Sequence, residues 1–344
     1  MKITRVGVDI AKSVFHVHAV DRRGRKVWQA KLRRAKWLDK LCEKIEPGAV
    51  IGMEACASAH YWARELQKRG YVVKLIAAQF VKPFVKSNKN DRADAEAISE
   101  AMSRPNMRFV TPKSIEQQDT QAMHRVRSEL ICQRTAKANQ IRGLVGEYGL
   151  VAPVGIAQLR RALPCWLEDA DNGLTHGFRA LLWGLFEDLQ QLDNRVDDVD
   201  EQIAESVKNC PVAKRLMELR GVGPLTASAL SVALGDGKSF GKGRDFAASL
   251  GLTPKQHSTG GKDRLLGISK RGDGYLRTLL VHGARAVLRH AANRDDAMSC
   301  WLKELSSRKH SNVVTVALAN KTARVAWAMV FKNAHYDPMM AAQR

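Results

Sequence analysis

Residues 3–21, ITRVGVDIAKSVFHVHAVD, decide the fold of the N-terminal part of the chain. Two β-branched runs, ITRVGVDIA and VFHVHAVD, lie two residues apart, and RRGRK then predicts a turn into a third strand around 27–32. Further along, the patterns predict helices over 35–45 and 58–70, the second starting at a Ser58 cap, and strands over 47–55 and 71–77. We therefore predict an α/β sheet of mixed strand directions.

The chain is strongly basic. Its 344 residues include 56 Lys and Arg against 35 Asp and Glu, a formal net charge of +21, with 45% hydrophobic residues. This composition indicates a globular protein with a polyanionic partner, nucleic acid first and an anionic membrane surface second. No apolar run of about 18 residues and no signal peptide is found, and six scattered cysteines fit a reducing compartment. We expect a cytosolic protein.

From about residue 115 to 208 the pattern becomes helical. Spacings of four and three alternate in a heptad seam that consists of Leu185, Leu189, Leu192, Val196, Val199 and Ile203. An earlier helix over 115–150 is its candidate antiparallel partner, within one chain or between chains, and the sequence does not choose. Between them, APVGIAQLRRALP (152–164) predicts a connector or helix break. A compact helical region follows Pro211.

Four carboxylates stand out by position. Asp9 and Glu54 each end a predicted strand, and Asp91 and Asp94 lie three apart in KNDRADAEAI, where a helix places them on one face. Asp91 as a helix cap and Asp94 as a first-turn acid also have ordinary structural explanations. An acid that ends a buried apolar strand is unfavourable without a function. Together the four favour a site for two Mg²⁺ ions, about 4 Å apart, that act on a phosphodiester.

Two glycine-containing segments lie in the C-terminal region. LRGVGPLTASAL predicts two helices joined at Gly221 and Gly223, which either present backbone N–H groups to a phosphate or only permit a tight connection. In GLTPKQHSTGGKDRLLGISKRGDGYLRTLL (251–280), Ser258 and Thr259 precede two glycines. Residues 255–289 contain eight Lys and Arg against two Asp, a net charge of +6. The serine is either a hydrogen-bond donor to phosphate or a nucleophile, which needs a base or metal to activate it.

These segments resemble a known family. GVDIAK, GMEA, NDRADAEAI, LRGVGPLTASAL and FAASLGLTPKQHSTGGKDRLLGISKRGDGYLRTLL follow one another as in the DEDD transposases of bacterial insertion sequences, the one-ten family that includes the Piv-type DNA invertases. The resemblance spans about residues 3–333. Its C-terminal motif is highly specific, whereas GVDIAK alone is a weak signal.

The resemblance implies a domain organisation and a set of site residues. It implies a RuvC-like, RNase H-type domain over 1–112, a helical coiled-coil linker over 113–210 and a mostly helical transposase domain over 211–344. Asp9, Glu54, Asp91 and Asp94 would bind Mg²⁺, and Ser258 would be the nucleophile. We expect nucleic-acid contacts at Gly221, Gly223, Thr259, Gly260, Gly261, Lys262, Arg264, Lys270, Arg271 and Arg277.

The resemblance also implies an activity and partners. Such an enzyme cuts and rejoins donor and target DNA through a covalent serine–DNA intermediate. A non-coding RNA from the element, the bridge RNA, pairs with both DNAs and supplies the specificity. The active species is expected to be a tetramer built from dimers, in which RuvC-like and serine-bearing domains meet across subunits. We expect this protein in the bacterial cytoplasm, associated with the nucleoid.

Two other functions stay open at this point. A RuvC-type nuclease or junction resolvase would use the four acids to activate water and would leave no protein–DNA adduct. A non-enzymatic nucleic-acid-binding protein would use the basic C-terminal region alone. The serine distinguishes recombinase from nuclease, and the acids distinguish both from a binding protein.

Overall fold

The computed structural model describes residues 2–85 and 90–338 and divides the chain into two compact units. Unit 1 comprises residues 1–115 with 235–241, and unit 2 comprises 116–234 with 242–344. The Thr111 and Ser239 hydroxyls are hydrogen-bonded within unit 1. In the part of the chain that the structure describes, no helix is both long and apolar enough to cross a membrane.

Unit 1 has the mixed α/β order that the sequence predicts. Its strands are β1 (Arg5–Ile10), β2 (Val14–Val20), β3 (Lys26–Arg33), β4 (Val50–Glu54), β5 (Val72–Ile76) and β6 (Phe109–Val110). Its helices are α1 (Trp37–Lys44), α2 (Ala59–Lys68), α3 (Ala78–Val81) and α4 (Asp91–Ala101), with a 3₁₀ turn at Lys82–Phe84. The strands and helices predicted up to residue 77 are confirmed.

The strands form one mixed sheet, which within the described residues has the order β3-β2-β1-β4-β5-β6. β1 and β2, β2 and β3, and β5 and β6 are antiparallel, whereas β1 and β4, and β4 and β5, are parallel. Asp9 lies opposite His16 in the β1–β2 register, and Val8 lies beside Met53 on β4. The carboxyl ends of β1 and β4 therefore lie side by side.

The two faces of this sheet pack differently. Val6, Val8 and Met53 are fully buried in a core that includes Trp37 of α1 and Trp62 of α2. On the opposite face α4 lies directly on the strand backbone. A Cβ on Gly7 would come within 2.6 Å of the Ser99 amide nitrogen, and one on Gly52 within 2.7 Å of Met102 Cγ. Glycine at both positions allows the helix to approach this closely.

Unit 2 is mainly helical, as predicted for the second half of the chain. Its helices are α5 (Ile115–Gly146), α6 (Ile156–Glu168), α7 (His176–Lys208), α8 (Pro211–Leu216), α9 (Pro224–Leu234), α10 (Gly243–Ser249), α11 (Gly274–Ala291), α12 (Ala297–Ser306) and α13 (Ser311–Phe331). It also contains a β-hairpin that was not predicted, formed by β7 (Pro254–Gln256) and β8 (Leu265–Ile268).

Helices α5 and α7 pair antiparallel within the chain, which is one of the arrangements that the sequence left open. On the predicted seam, Leu189 and Ile203 are buried, and Leu192 is half-buried. Ion pairs join the helices in opposite sequence order: Arg127–Asp200, Arg134–Asp193 and Lys137–Asp188. Apolar burial and these ion pairs together specify the antiparallel pairing.

Two local predictions were wrong. Residues 152–164 are not simply a connector, because most of them belong to α6, which includes Pro164. Leu159 and Leu163 of this helix are fully buried in the core of unit 2, so tertiary packing outweighs the proline signal. Ser58 occupies the N-cap position of α2, but its side chain makes no capping hydrogen bond.

A buried polar network connects three helices of unit 2. The His124 ring on α5 is hydrogen-bonded through Nδ1 to the Tyr275 hydroxyl (2.9 Å) and through Nε2 to the Ser228 hydroxyl (2.8 Å). Burial lowers the pKa of His124 to about 4, and the positive charge of Arg127 acts in the same direction. The imidazole is therefore neutral near pH 7, which suits its buried position.

Candidate active-site residues

Three of the four predicted acids meet in unit 1. One carboxylate oxygen each from Asp9, Asp91 and Asp94 lies within 4.8 Å of the others. Asp9 and Asp94 are half-buried, and Asp91 is exposed. The three side chains come from two elements, the end of β1 and the first turn of α4, that are 82 or more residues apart in sequence.

The alternation of side chains along β1 explains this convergence. Asp9 lies two residues after Gly7, so both are on the face of the sheet that α4 covers. Asp91 and Asp94 occupy the first turn of that helix. The close approach of α4 at Gly7 thus brings the two helix acids to the strand acid.

The cap of α4 is Asn90. Its Oδ1 accepts hydrogen bonds from the backbone nitrogens of Arg92 (2.9 Å) and Ala93 (3.0 Å). Asp91 follows the cap and is not needed for it, so the capping role considered for that residue is wrong. Both acids still benefit from the positive end of the helix dipole.

Glu54 is not one of the three clustered acids, but it lies close by. It ends β4, next to β1, and is on the same face as Gly52 because it is two residues away. Its charge and that of Asp9 both act on Cys56. The pKa of the Cys56 thiol is raised to about 11. The main cause is desolvation by surrounding protein atoms, and the two negative charges add to it. The thiol is therefore protonated at neutral pH.

The acidic cluster has a histidine neighbour that sequence reasoning missed. His16 lies opposite Asp9 on β2, and its Nδ1 is 3.7 Å from Oδ2 of Asp91. A hairpin register for residues 3–21 would have indicated this pairing, since the two predicted strands are separated by so short a loop.

The acidic residues are chemically suitable for a divalent cation. Carboxylate oxygens are hard ligands of the kind that Mg²⁺ prefers, and three in one small cluster repel one another unless a cation is present. Exposed Asp91 leaves one side of the cluster open to solvent and to a phosphate. Asp9, Asp91 and Asp94 would hold such an ion, with Glu54 beside them.

The predicted nucleophile lies in unit 2, near the tip of the β7–β8 hairpin. Thr259 and Lys262 pair across the tip, and the Lys262 amide donates to the Thr259 carbonyl at 3.1 Å. Between them Gly260 and Gly261 have φ values of 56° and 77°. Two consecutive residues with positive φ form a two-residue turn that matches the twist of the flanking strands, so the backbone favours glycine at both positions.

Ser258 has one side-chain partner at the end of β7 and one in the loop before β8. Its Oγ donates to Asp263 Oδ1 at 2.8 Å and accepts from Gln256 Nε2 at 2.9 Å. Gln256 Nε2 also donates to Asp263 Oδ1 at 3.3 Å. All three residues are exposed. The carboxylate therefore orients the serine proton and leaves the oxygen accessible.

The predicted basic contacts fall into two groups. Lys262 and Arg264 are exposed on the hairpin, and Lys270 and Arg271 are exposed in the loop that follows it. Arg277 is instead half-buried, and its Nη1 donates to the carbonyl oxygens of Leu250 (2.8 Å) and Arg271 (3.0 Å). Arg277 thus ties two loop segments together beneath the exposed cations.

The glycine turn between α8 and α9 has a packing role. Gly221 has a φ of 76°, and a Cβ there would come within 2.6 Å of the Gly283 carbonyl oxygen on α11. Nothing lies within 4 Å of a Cβ built on Gly223. The positive φ and the contact with α11 explain Gly221, and nucleic-acid binding at this turn stays a prediction.

Comparison with known proteins identifies the family. The sequence profile described as "Transposase IS116/IS110/IS902 family" matches residues 213–299, and a DEDD transposase profile of the same group matches residues 6–149. The second match contains all four predicted acids, and the first contains Ser258.

Relatives match over nearly the whole chain. A "Probable family 20 transposase" of Pseudomonas aeruginosa is 50% identical over 98% of this chain and 100% of its own length. The "Transposase for insertion sequence element IS1111A" of Coxiella burnetii is 43% identical over 96% of this chain and 90% of its own. A more distant relative, the "Pilin gene-inverting protein" of Moraxella bovis, is 26% identical over 44% of this chain and 48% of its own. The chain is a DNA transposase and belongs to the IS116/IS110/IS902 family.

Proposed function

We propose that this transposase cuts and rejoins donor and target DNA by a covalent serine–DNA intermediate, with Ser258 as nucleophile and Asp9, Glu54, Asp91 and Asp94 as metal ligands. The observation that supports the proposal most strongly is the convergence of Asp9, Asp91 and Asp94 within 4.8 Å of one another. Three acids gathered at the carboxyl end of β1 cost stability because they repel one another, and a bound cation relieves that cost.

The mixed sheet of unit 1 supports the RuvC-like, RNase H-type assignment. Three antiparallel strands are followed by two parallel ones, and the acids end the adjacent parallel strands β1 and β4. Magnesium, as two ions, is the proposed metal. When bound, Mg²⁺ supplies positive charge that stabilises the negatively charged phosphate during strand cleavage. The acids of this chain hold that charge in place.

The serine step exchanges one phosphodiester bond for another. Ser258 Oγ attacks phosphorus, the new Oγ–P bond forms, and the bond from phosphorus to the leaving sugar oxygen breaks. The serine proton passes to Asp263, whose Oδ1 already accepts the Ser258 hydroxyl at 2.8 Å. The protonated Asp263 then gives this proton to the leaving sugar oxygen, which becomes a hydroxyl, and the carboxylate is restored. A sugar hydroxyl of the joining strand then attacks the same phosphorus and releases Ser258.

The basic segment around the hairpin supports DNA binding near the serine. Lys262, Arg264, Lys270 and Arg271 are exposed and would neutralise backbone phosphates without reading bases. We extend the proposal to a bridge RNA encoded by the element, which would pair with both DNAs and supply the specificity, and to a tetramer assembled from dimers. Both extensions rest on the family resemblance and on the net charge of +21.

The test is an adduct assay. The protein is expressed with its flanking element DNA, supplied with Mg²⁺ and donor and target plasmids, and run on denaturing gels after nuclease trimming. Wild type, Ser258→Ala, Thr259→Ala and Asp9→Asn are compared, and co-purified RNA is sequenced. We expect an adduct in wild type and Thr259→Ala, and none in Ser258→Ala or Asp9→Asn.

Other results would change the assignment. An adduct that is lost only in Thr259→Ala would move the nucleophile by one residue. Metal-dependent cleavage without any adduct would establish the RuvC-type nuclease instead and leave Ser258 as a phosphate contact. Strand transfer that survives in Asp9→Asn would contradict the metal site.

A further inference from the structure

A basic and aromatic cleft opens in unit 1, on the other side of the sheet from the acidic cluster. It has a volume of about 990 Å³. Its described lining consists of Lys12, Ser13, Val14, Arg33, Arg34, Ala35, Ser58, Tyr61 and Trp62. Three of these residues are cationic, two are aromatic, and none is acidic. A cleft with this lining is complementary to a polyanion with flat apolar groups.

Two of the cations, Lys12 and Arg34, lie in loops that a backbone hydrogen bond joins, and Arg33 ends β3. The Arg34 amide donates to the Ser13 carbonyl at 2.9 Å, which joins the loop after β1 to the loop after β3. The Arg34 guanidinium lies 5.3 Å from the ring centroid of Trp62, a cation–π contact that restrains it. Lys12 and Arg33 are exposed beside it.

The first turn of α2 forms another side of the cleft. This ten-residue helix has no acidic residue in its first turn and no side-chain cap. No negative charge or capping oxygen in that turn therefore balances the positive end of the helix dipole. Ser58, at the cap position, has a φ of 65°, in the left-handed region that non-glycine residues rarely adopt. Such strain is found mainly at functional sites.

Tyr61 supplies an exposed aromatic surface. Its exposed fraction is 46%, whereas Trp62 beside it is 7% exposed and belongs to the core. The two rings are 4.8 Å apart and nearly perpendicular, so Trp62 supports Tyr61 from the side. Tyr61 is therefore an exposed aromatic surface on which an unstacked base can lie.

We propose that this cleft binds a single-stranded segment of nucleic acid, with a phosphate at Lys12, Arg33 and Arg34 and an unstacked base on Tyr61. Duplex bases are stacked on one another and do not offer a free face, so the aromatic platform selects single strands. The cleft begins three residues after Asp9, at the same end of β1 as the acidic cluster. A strand separated near the acids thus passes around the end of β1 to reach the cleft.

The experiment measures binding and contact position in EDTA, so it does not depend on the proposed strand-transfer chemistry. Short oligothymidylate and oligouridylate probes that contain a photoreactive halogenated base are titrated against the full chain and then cross-linked. We expect an adduct in residues 58–62. Tyr61→Leu should abolish that adduct and weaken binding by about 5- to 100-fold, the usual range for loss of one stacked base. Tyr61→Phe should retain both.

A matched pair of charge variants tests the phosphate contact. Arg33→Ala removes a cleft cation, and Arg22→Ala removes an exposed cation at the opposite end of the β2–β3 hairpin. Arg33→Ala should reduce the adduct and Arg22→Ala should not. Thermal unfolding confirms that each variant is folded.

Three outcomes would overturn the proposal. The first is cross-linking only outside residues 58–62, and the second is equal binding by wild type and Tyr61→Leu. The third is equal competition by polyglutamate and by the oligonucleotides, which would make the cleft a site for acidic peptides. The ratio of the affinities for oligothymidylate and oligouridylate indicates whether the natural strand is DNA or RNA.

Discussion

Gly7 on β1 and Ala95 on α4 are in direct backbone contact, because a Cβ on Gly7 would overlap the carbonyl oxygen of Ala95. This contact determines how far the first turn of α4 reaches toward the end of β1. Asp9 lies two residues after Gly7, and Asp94 is the residue before Ala95. Gly7, which has no side chain, therefore sets the distance between Asp9 on β1 and the two acids of α4.

Gly7→Ala should separate the acids. The new methyl group must displace α4, and overpacking of this kind typically costs about 1–3 kcal/mol of unfolding free energy. We expect a lower midpoint in urea and a loss of Mg²⁺ affinity by calorimetry. Gly143→Ala is the control, because that glycine is in an exposed helical position with nothing within 4 Å of the new methyl. It should leave Mg²⁺ binding unchanged and stabilise the helix slightly.

Asp94→Asn should reduce DNA cleavage by at least about 100-fold, because it removes a negative ligand from the proposed metal site. In EDTA the same variant should be as stable as wild type or more so, since like charges in the cluster repel. Glu96→Gln makes the same charge change on an exposed position of α4 and should leave cleavage intact. If both variants lose activity equally, α4 is needed only for its charge or fold.

Asp263→Asn should slow adduct formation by about 100-fold, within the usual contribution of a general base. The amide can still contact the Ser258 hydroxyl but cannot accept its proton as a carboxylate does. Single-turnover measurements over a range of pH distinguish a general base from a simple hydrogen-bond partner of Ser258. Only the loss of a base changes the pH profile of the rate. An unchanged rate and profile would leave Asp263 as a hairpin contact.

The hairpin turn should tolerate asparagine but not valine at Gly260. Its φ of 56° is left-handed, a conformation that costs most residues about 1–2 kcal/mol and asparagine less. Gly260→Asn should therefore keep strand transfer, whereas Gly260→Val should lose it and make residues 254–268 more sensitive to protease. The melting temperature should change little, because the hairpin is exposed. Equal activity of the two variants would show that the turn conformation is not required.

Acid should weaken the fold through His124. Its pKa falls from 6.5 to about 4 on folding, chiefly by burial, so the unfolded chain binds the proton more readily. The stabilising effect is complete above about pH 6.5 and decreases as the pH falls toward 4, by roughly 3 kcal/mol in total. Urea unfolding over this range should show a smaller decrease for His124→Gln than for wild type. Tyr275→Phe retains the histidine and should retain the decrease, and identical slopes in all three proteins would contradict this role.

The position of most secondary structure in unit 1 follows from sequence alone. Runs such as ITRVGVDIA and VFHVHAVD have the composition and alternation of strands, and these are local properties. The acids Asp9 and Glu54 are recognisable at the ends of such strands, and the heptad seam in α7 is recognisable from its spacing. The identity of the chemical groups is likewise a sequence property.

Only tertiary structure decided which of these groups meet. The contact of α4 with Gly7 and the antiparallel pairing of α5 with α7 both depend on packing between distant segments. The same holds for the cleft, whose lining comes from three separate segments between Lys12 and Trp62. Local periodicity determines which face of an element is apolar. It does not determine which other element covers that face, because the free energy of burial depends on the shapes of both partners.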